Sequence, residues 1–172
     1  SILEGEPEDI LNGDRGGKAL CYASSVETLE LLIKYGADVN VPDKDGLTPL
    51  QHAIKKDKPE MVSALLKHGA DIDVPTVEGK QAQVPLLVSL TKRHTPQAAE
   101  IAKLLLDAGA NPDAVDHGGN TAAVLAGGEG NLKLLQQLKA GGADLYKTNN
   151  AGETALDWAC GANHLNVVKY LV

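Results

Sequence analysis

Residues 46–53 read Gly46–Leu47–Thr48–Pro49–Leu50–Gln51–His52–Ala53, and residues 65–71 read Leu65–Leu66–Lys67–His68–Gly69–Ala70–Asp71. Both stretches recur along the chain. The second is echoed by Leu32–Ile33–Lys34–Tyr35–Gly36–Ala37–Asp38, by Leu105–Leu106–Asp107–Ala108–Gly109–Ala110–Asn111 and by Leu138–Lys139–Ala140–Gly141–Gly142–Ala143–Asp144, with glycines 33, 40 and 33 residues apart. The first returns as Gly119–Asn120–Thr121–Ala122–Ala123 and as Gly152–Glu153–Thr154–Ala155–Leu156–Asp157–Trp158–Ala159, each Thr standing 12 residues after the Gly of the other motif. Two motifs held in fixed phase over the whole length define a tandem array.

The residue chemistry assigns helices to each unit. Thr48 can cap a first helix with its hydroxyl, and Pro49 occupies the first helical position, where a missing N–H costs nothing. A second helix opens at Pro59 and Pro96 and closes at Gly36, Gly69, Gly109 or Gly142, where a left-handed residue ends it. A further glycine marks the turn between units: Gly16, Gly46, Gly79, Gly119 and Gly152. Ser24 and Glu27 have capping-box spacing.

The 33-residue period, the Gly-Ala-Asp after a Leu pair, and Thr48–Pro49–Leu50 resemble the ankyrin repeat over nearly the whole chain. The resemblance implies an all-α ankyrin-repeat solenoid: stacked helix–turn–helix units with β-turn fingers projecting between them. The expected layout is a single domain over 1–172, with a partial repeat at 1–12, repeats at about 13–40, 41–73, 74–113 and 114–146, and a partial repeat at 147–172. Stacks of this kind need polar caps, and neither end shows one, so the sequence reads as a piece of a longer array or protein. The period of 40 comes from two insertions, one widening a finger at Lys80–Gln83 and one lengthening an interhelix turn across Thr91–Thr95. Gly127, Gly128 and Gly130 crowd the end of one first helix, each about 1 kcal/mol worse than Ala if helical, and mark the expected softest point of the stack.

Composition fits an array and narrows its partners. Of 172 residues 43% are apolar but only 3% aromatic, with no Phe, so the core must be Leu, Ile, Val and Ala. A net charge of −7 argues against a nucleic-acid groove. No apolar run is long enough for membrane insertion, and the opening residues lack the pattern of a signal peptide. Cys21 and Cys160 read as two buried free thiols of an intracellular protein, cytoplasmic or nuclear.

The resemblance places binding on the finger tips and on the inner face of the first helices, which together form a concave surface. Carried over by position, the finger candidates are Asp14 and Arg15; Lys44, Asp45 and Leu47; Val77, Glu78 and Lys80; His117, Gly118 and Asn120; Asn150, Ala151 and Glu153. On the first helices they are Lys55 and Lys56, Thr91 and Lys92, Gly128 and Glu129, Gly161 and Ala162. Lys55, Lys56, Lys58, Lys92, Arg93 and His94 gather at two adjacent helix ends, either as solvated loop charges or as a basic patch that steers an acidic partner segment.

Catalysis finds no residue set. Cys160 stands four residues before His164, but an interhelix turn falls between them and no orienting third group follows. Gly127–Gly128–Glu129–Gly130 lacks the strand and the Lys-Ser/Thr of a phosphate loop. His52 and Trp158 occupy equivalent positions, expected to pack between helices, while His68 is expected to be exposed and His164 to serve the interhelix turn. His94 and His117 have no neighbours at metal-ligand spacing, and no cofactor is implied. Asn40, after Leu32 and Asp38–Val39, resembles an asparagine hydroxylated in ankyrin repeats; the alternative is that it bonds its own finger backbone. The expected function is a non-enzymatic, monomeric module that binds a partner protein. The alternative is a targeting or regulatory region of a larger catalytic, channel or effector protein.

Overall fold

The computed structural model describes residues 14–73, 85–90 and 95–172. These form helices α1 (Asp14–Tyr22), α2 (Val26–Lys34), α3 (Pro49–Lys55), α4 (Pro59–Lys67), α5 (Pro85–Leu90), α6 (Pro96–Asp107), α7 (Ala122–Glu129), α8 (Leu132–Ala140), α9 (Ala155–Gly161) and α10 (Leu165–Leu171). Among the described residues there is no strand, only an isolated antiparallel bridge between Val115 and Thr121. Consecutive helices pair as antiparallel hairpins. The odd-numbered helices then pack in series as an inner row, and the even-numbered ones as an outer row.

Local chemistry sets the ends of these helices. Thr48 Oγ1 accepts from Gln51 N at 3.3 Å while Gln51 Oε1 accepts from Thr48 N at 2.9 Å, a reciprocal cap. Thr121 and Thr154 repeat the cap on Val124 N and Asp157 N, both at 3.3 Å. Each outer helix but the last closes on a left-handed glycine, as at Gly69 (φ 81°), after which Ala70 N returns to Leu65 O at 3.0 Å. Three inner helices end the same way on Asp57 (φ 52°), Gly130 (φ 72°) and Asn163 (φ 60°), residue types that tolerate this conformation.

The core is a thin aliphatic layer between the two rows. Leu29, Leu50, Ile54, Leu65, Ile101, Leu105, Leu134, Leu135 and Leu138 are all less than 2% exposed, each burial stabilising by about 2 kcal/mol. Polar bonds also cross from one repeat to the next. Asn40 Oδ1 accepts from Asp71 N at 2.8 Å, and Asp113 Oδ1 accepts from Asp144 N at 2.9 Å. Lys56 Nζ donates to Cys21 O at 3.3 Å, and Lys58 Nζ to Ser24 O at 2.7 Å, closing the end of α1. Asn40 therefore serves the following repeat rather than its own finger.

Several expectations are corrected. Asp14, Arg15 and Gly16 lie within α1 and form no finger. Lys18 stands where Thr48 stands one repeat later, so no hydroxyl cap stops the helix there. Ser25, not Ser24, caps α2, its hydroxyl accepting from Thr28 N at 3.3 Å. Cys160 is exposed because it sits on the side of α9 turned away from the buried Ala155 and Ala159; only Cys21 is buried.

The glycine cluster is a close seam rather than a soft point. A Cβ on Gly127 would lie 2.3 Å from Ala155 O, one on Gly128 2.7 Å from Trp158 Cε3, and one on Gly130 2.5 Å from His164 Nδ1. The absent side chains let α9 and the turn after it pack directly onto α7. The partial repeat 1–12, Gly79, the widened finger at Lys80–Gln83 and residues 91–94 of the second insertion lie outside the described residues.

Candidate functional site

Each described finger is built on an acidic or amide side chain that folds back on its own turn. In the first, Asp43 N donates to Leu47 O at 2.9 Å and Gly46 N to Asp43 O at 3.0 Å, with Gly46 at φ 78° closing the turn. Asp43 Oδ1 accepts from Asp45 N (2.9 Å) and Leu47 N (3.1 Å), and its Oδ2 accepts from His52 Nε2 at 2.7 Å. Burial works against the Asp43 charge, but the His52 bond and the two amides outweigh it and hold the carboxyl below its usual range. Asp116 and Asn149 repeat the device, accepting from Gly118 N and Asn120 N and from Ala151 N and Glu153 N respectively, all at 2.8–3.0 Å.

The second and third described turns, 116–120 and 149–153, are tied to each other. Asn150 N donates to Gly118 O at 3.0 Å, Asn150 Nδ2 to His117 O at 3.1 Å, and Asn149 Nδ2 to Asn120 Oδ1 at 2.9 Å. Asn120 and Asn150 thus have structural duties, and Asn120 is half-buried. Lys44, Asp45, His117, Asn150, Ala151 and Glu153 are exposed at the tips. Leu47 is not: it is 4% exposed, turned inward because the next residue, Thr48, must point back to cap α3.

On the inner row, Lys55 is half-buried and Lys56 exposed. The ammonium groups of Lys56 and Lys58 are engaged by the carbonyls at the end of the preceding repeat's first helix. Lys92, Arg93 and His94, and with them Val77, Glu78 and Lys80, lie outside the described residues. Gly128 and Glu129 are half-buried, and Gly161 and Ala162 are exposed.

His52 and Trp158 both stand nine residues after the acid or amide that anchors the finger. Neither is a core residue. The His52 ring reaches the finger through Asp43 and lies 6.2 Å from the ring of Tyr22, which is 61% exposed. Trp158 Nε1 donates to Glu153 Oε2 at 2.8 Å. That bond, with one from Asn149, holds the Glu153 carboxyl below its usual range against desolvation and the like charge of Asp157. The Thr154 amide and hydroxyl lower Asp157 likewise. Sequence reading missed Tyr22, Asp157 and Trp158 as surface groups. The signal available was the fixed spacing of His52 and Trp158 from their fingers.

The remaining reactive groups are held in place. Cys21 Sγ lies 3.5 Å from Leu47 O, and burial, helped by the Asp43 charge, pushes its thiol up to about 11. His164 Nε2 donates to Gly128 O at 3.0 Å, so its ring is committed to the seam with α7. His68 is half-buried rather than exposed, bonded to Glu30 at 2.9 Å. No group of three His, Cys, Asp or Glu among the described residues could hold a metal ion. No helix of the described residues is long and apolar enough to cross a membrane.

A family model for ankyrin repeats matches residues 2–76 and 93–172 in three copies. The unmatched stretch, 77–92, takes in the insertion read at Lys80–Gln83 and the start of the one read across Thr91–Thr95. The chain is 31% identical over 93 residues to ankyrin repeat domain-containing protein 63 of Mus musculus, covering 54% of this chain and 24% of the relative. It is 34% identical over 122 residues to the E3 ubiquitin-protein ligase KEG of Arabidopsis thaliana, covering 70% of this chain and 7% of the relative. It is also 41% identical over 51 residues to the eye-specific diacylglycerol kinase of Drosophila melanogaster, covering 30% of this chain and 4% of the relative. The matched segments span about a quarter or less of these relatives' own length.

Proposed function

The chain belongs to the ankyrin-repeat family, a general protein-interaction fold, and from that premise we propose that it binds a partner protein through its finger tips and the inner row of helices. The observation that carries this reading is the exposure of chemically varied side chains on rigid turns. Lys44, Asp45, His117, Asn150 and Glu153 project from fingers whose backbones are held by hydrogen bonds to Asp43, Asp116 and Asn149, so little conformational entropy is lost when a partner docks. Val77, Glu78, Lys80, Lys92 and Arg93 join this surface on sequence grounds, and the widened finger at Lys80–Gln83 is a source of specificity. The repeat boundaries at about 40, 73, 113 and 146 belong to the same reading.

The array acts by complementarity rather than by chemistry, as a monomer. The free thiols of Cys21 and Cys160 support an intracellular setting. Asn40 remains a candidate for hydroxylation, with its amide already used between repeats. A second reading, that the segment targets or regulates an enzyme of which it is part, is favoured by relatives named as a kinase and a ligase.

Charge and size changes on the two faces separate binding from bystanders. With an interacting protein in hand, Lys44→Glu combined with His117→Ala should weaken the complex at least tenfold, and Lys103→Glu on α6 should leave it unchanged. Loss through Lys103→Glu alone would overturn the reading.

A further inference from the structure

Charge is segregated along the finger side of the molecule. The fingers and first helices at 114–131 and 148–163 contain no Lys or Arg, whereas Lys44, Lys55, Lys56 and Lys58 cluster at the corresponding places nearer the start. At the acidic end stands Trp158, the only tryptophan of the chain. Its ring is fixed on two sides: the indole N–H is held by Glu153 at 2.8 Å, and the Cε3 edge rests on the backbone of Gly128. It remains half-exposed, beside the exposed carboxylates of Glu153 and Asp157.

Those two carboxylates are satisfied only in part. Glu153 accepts from Trp158 and from Asn149 Nδ2 (3.1 Å), and Asp157 from the Thr154 amide (2.8 Å) and hydroxyl (2.7 Å). All of these donors are neutral and hold both carboxyls below their usual range, so the two groups keep their negative charge with acceptor positions still open on each. An indole face is also attractive to a cation, through the negative potential over the ring.

We propose that Trp158, Glu153 and Asp157 seat a lysine or arginine side chain of an extended partner segment, its stem along the indole and its head between the carboxylates. The inference rests on the finger-side reading above and gives it a chemistry at one end. A guanidinium suits the corner best, since it can stack on the ring and bond both carboxylates at once. Gly161 leaves room for the stem, with nothing within 4 Å of the place its Cβ would take.

Trp158 emission reads the event directly. The probe is the capped pentapeptide Gly-Ser-Arg-Ser-Gly, with a citrulline version that keeps the shape and removes the charge. The arginine peptide should give a saturable change in emission that weakens with salt, and the citrulline peptide none. Glu153→Gln keeps an oxygen for the indole N–H and removes one charge; it should weaken arginine-peptide binding at least fivefold with an unchanged circular-dichroism melt. Equal responses to the two peptides, or no effect of Glu153→Gln, would overturn the proposal. With a whole protein partner, sensitivity to Lys44→Glu and His117→Ala but indifference to Glu153→Gln overturns this subsite alone, and indifference to all three overturns the finger-side reading with it.

Discussion

Substituting Gly127 by Ala sets two physical effects against each other at one atom. On helix propensity alone, Ala in place of a helical Gly should stabilise by about 1 kcal/mol. The structure dictates the opposite sign. The added methyl would sit 2.3 Å from Ala155 O and 2.9 Å from Ala155 C and Cα, all backbone atoms that cannot rotate away. Ordinary contact begins near 3.4 Å, so α9 would have to retreat from α7 by roughly 1 Å, a gap that forfeits a quarter to a half of each facing van der Waals contact. The seam is lined by Ala122, Ala123, Ala126, Ala155 and Ala159, all 0–1% exposed, so none of that loss is recovered by water. Overpacking of this kind costs about 1–3 kcal/mol, and a clash this short with backbone atoms puts it in the upper part of that range, leaving a net loss of roughly 1–2 kcal/mol after the propensity gain. Urea unfolding followed by circular dichroism measures it, with Gly161→Ala as the control, since that helical position is open and its change should be neutral or stabilising, by no more than about 1 kcal/mol. A Gly127→Ala protein as stable as the parent, with the same denaturant slope, would refute the close-seam account.

Other outcomes follow from the caps, the thiols and the buried carboxylate. Thr154→Ala should lower stability by about 1 kcal/mol through loss of the reciprocal cap on α9, measured by the same titration. Asn40→Ala strands the Asp71 amide and should cost a similar amount, about 1 kcal/mol, read as a shift in urea midpoint. In the native protein a maleimide should label Cys160 within minutes and Cys21 only on unfolding, as mass spectrometry of the two peptides will show. Because the Asp43 carboxyl is held below its usual range in the fold, its contribution is complete above the unfolded value of about 3.9 and is lost as pH falls through the lower native one. Asp43→Asn should therefore flatten that part of the acid limb of the stability profile; an unchanged limb would show that the His52 bond contributes nothing.

Helix ends and turns were legible because each depends on a few neighbouring residues. Thr48, Gly69 and Gly46 act within five positions of themselves, and the period repeats the lesson along the chain. The misreadings share another cause. Gly127 and Gly128 look weak on a helix by themselves and become necessary only when α9, some thirty residues on, lies against them. Leu47 belongs by sequence position to an exposed finger, yet its direction is fixed by the cap that follows it. Trp158 looked like core because large apolar rings usually are. Its indole N–H needed an acceptor, and Glu153, five residues earlier on the finger, drew it to the surface. The exposure of Cys160 depends on a helical phase that Ala155 and Ala159 fix only after packing.

The bonds from Asn40 to Asp71, from Lys56 and Lys58 back to Cys21 and Ser24, and from Asp113 to Asp144 bear on how such a chain can be rearranged. Every one of them has its two halves in different repeats. A single repeat lifted out and transplanted would carry severed halves at both faces, and its new neighbours would have to supply the missing partners. The smallest piece that keeps any of these bonds whole is therefore a pair of neighbouring repeats. Recombination or grafting that moves neighbouring repeats together should preserve more of these bonds than transplanting one repeat, wherever the cut falls.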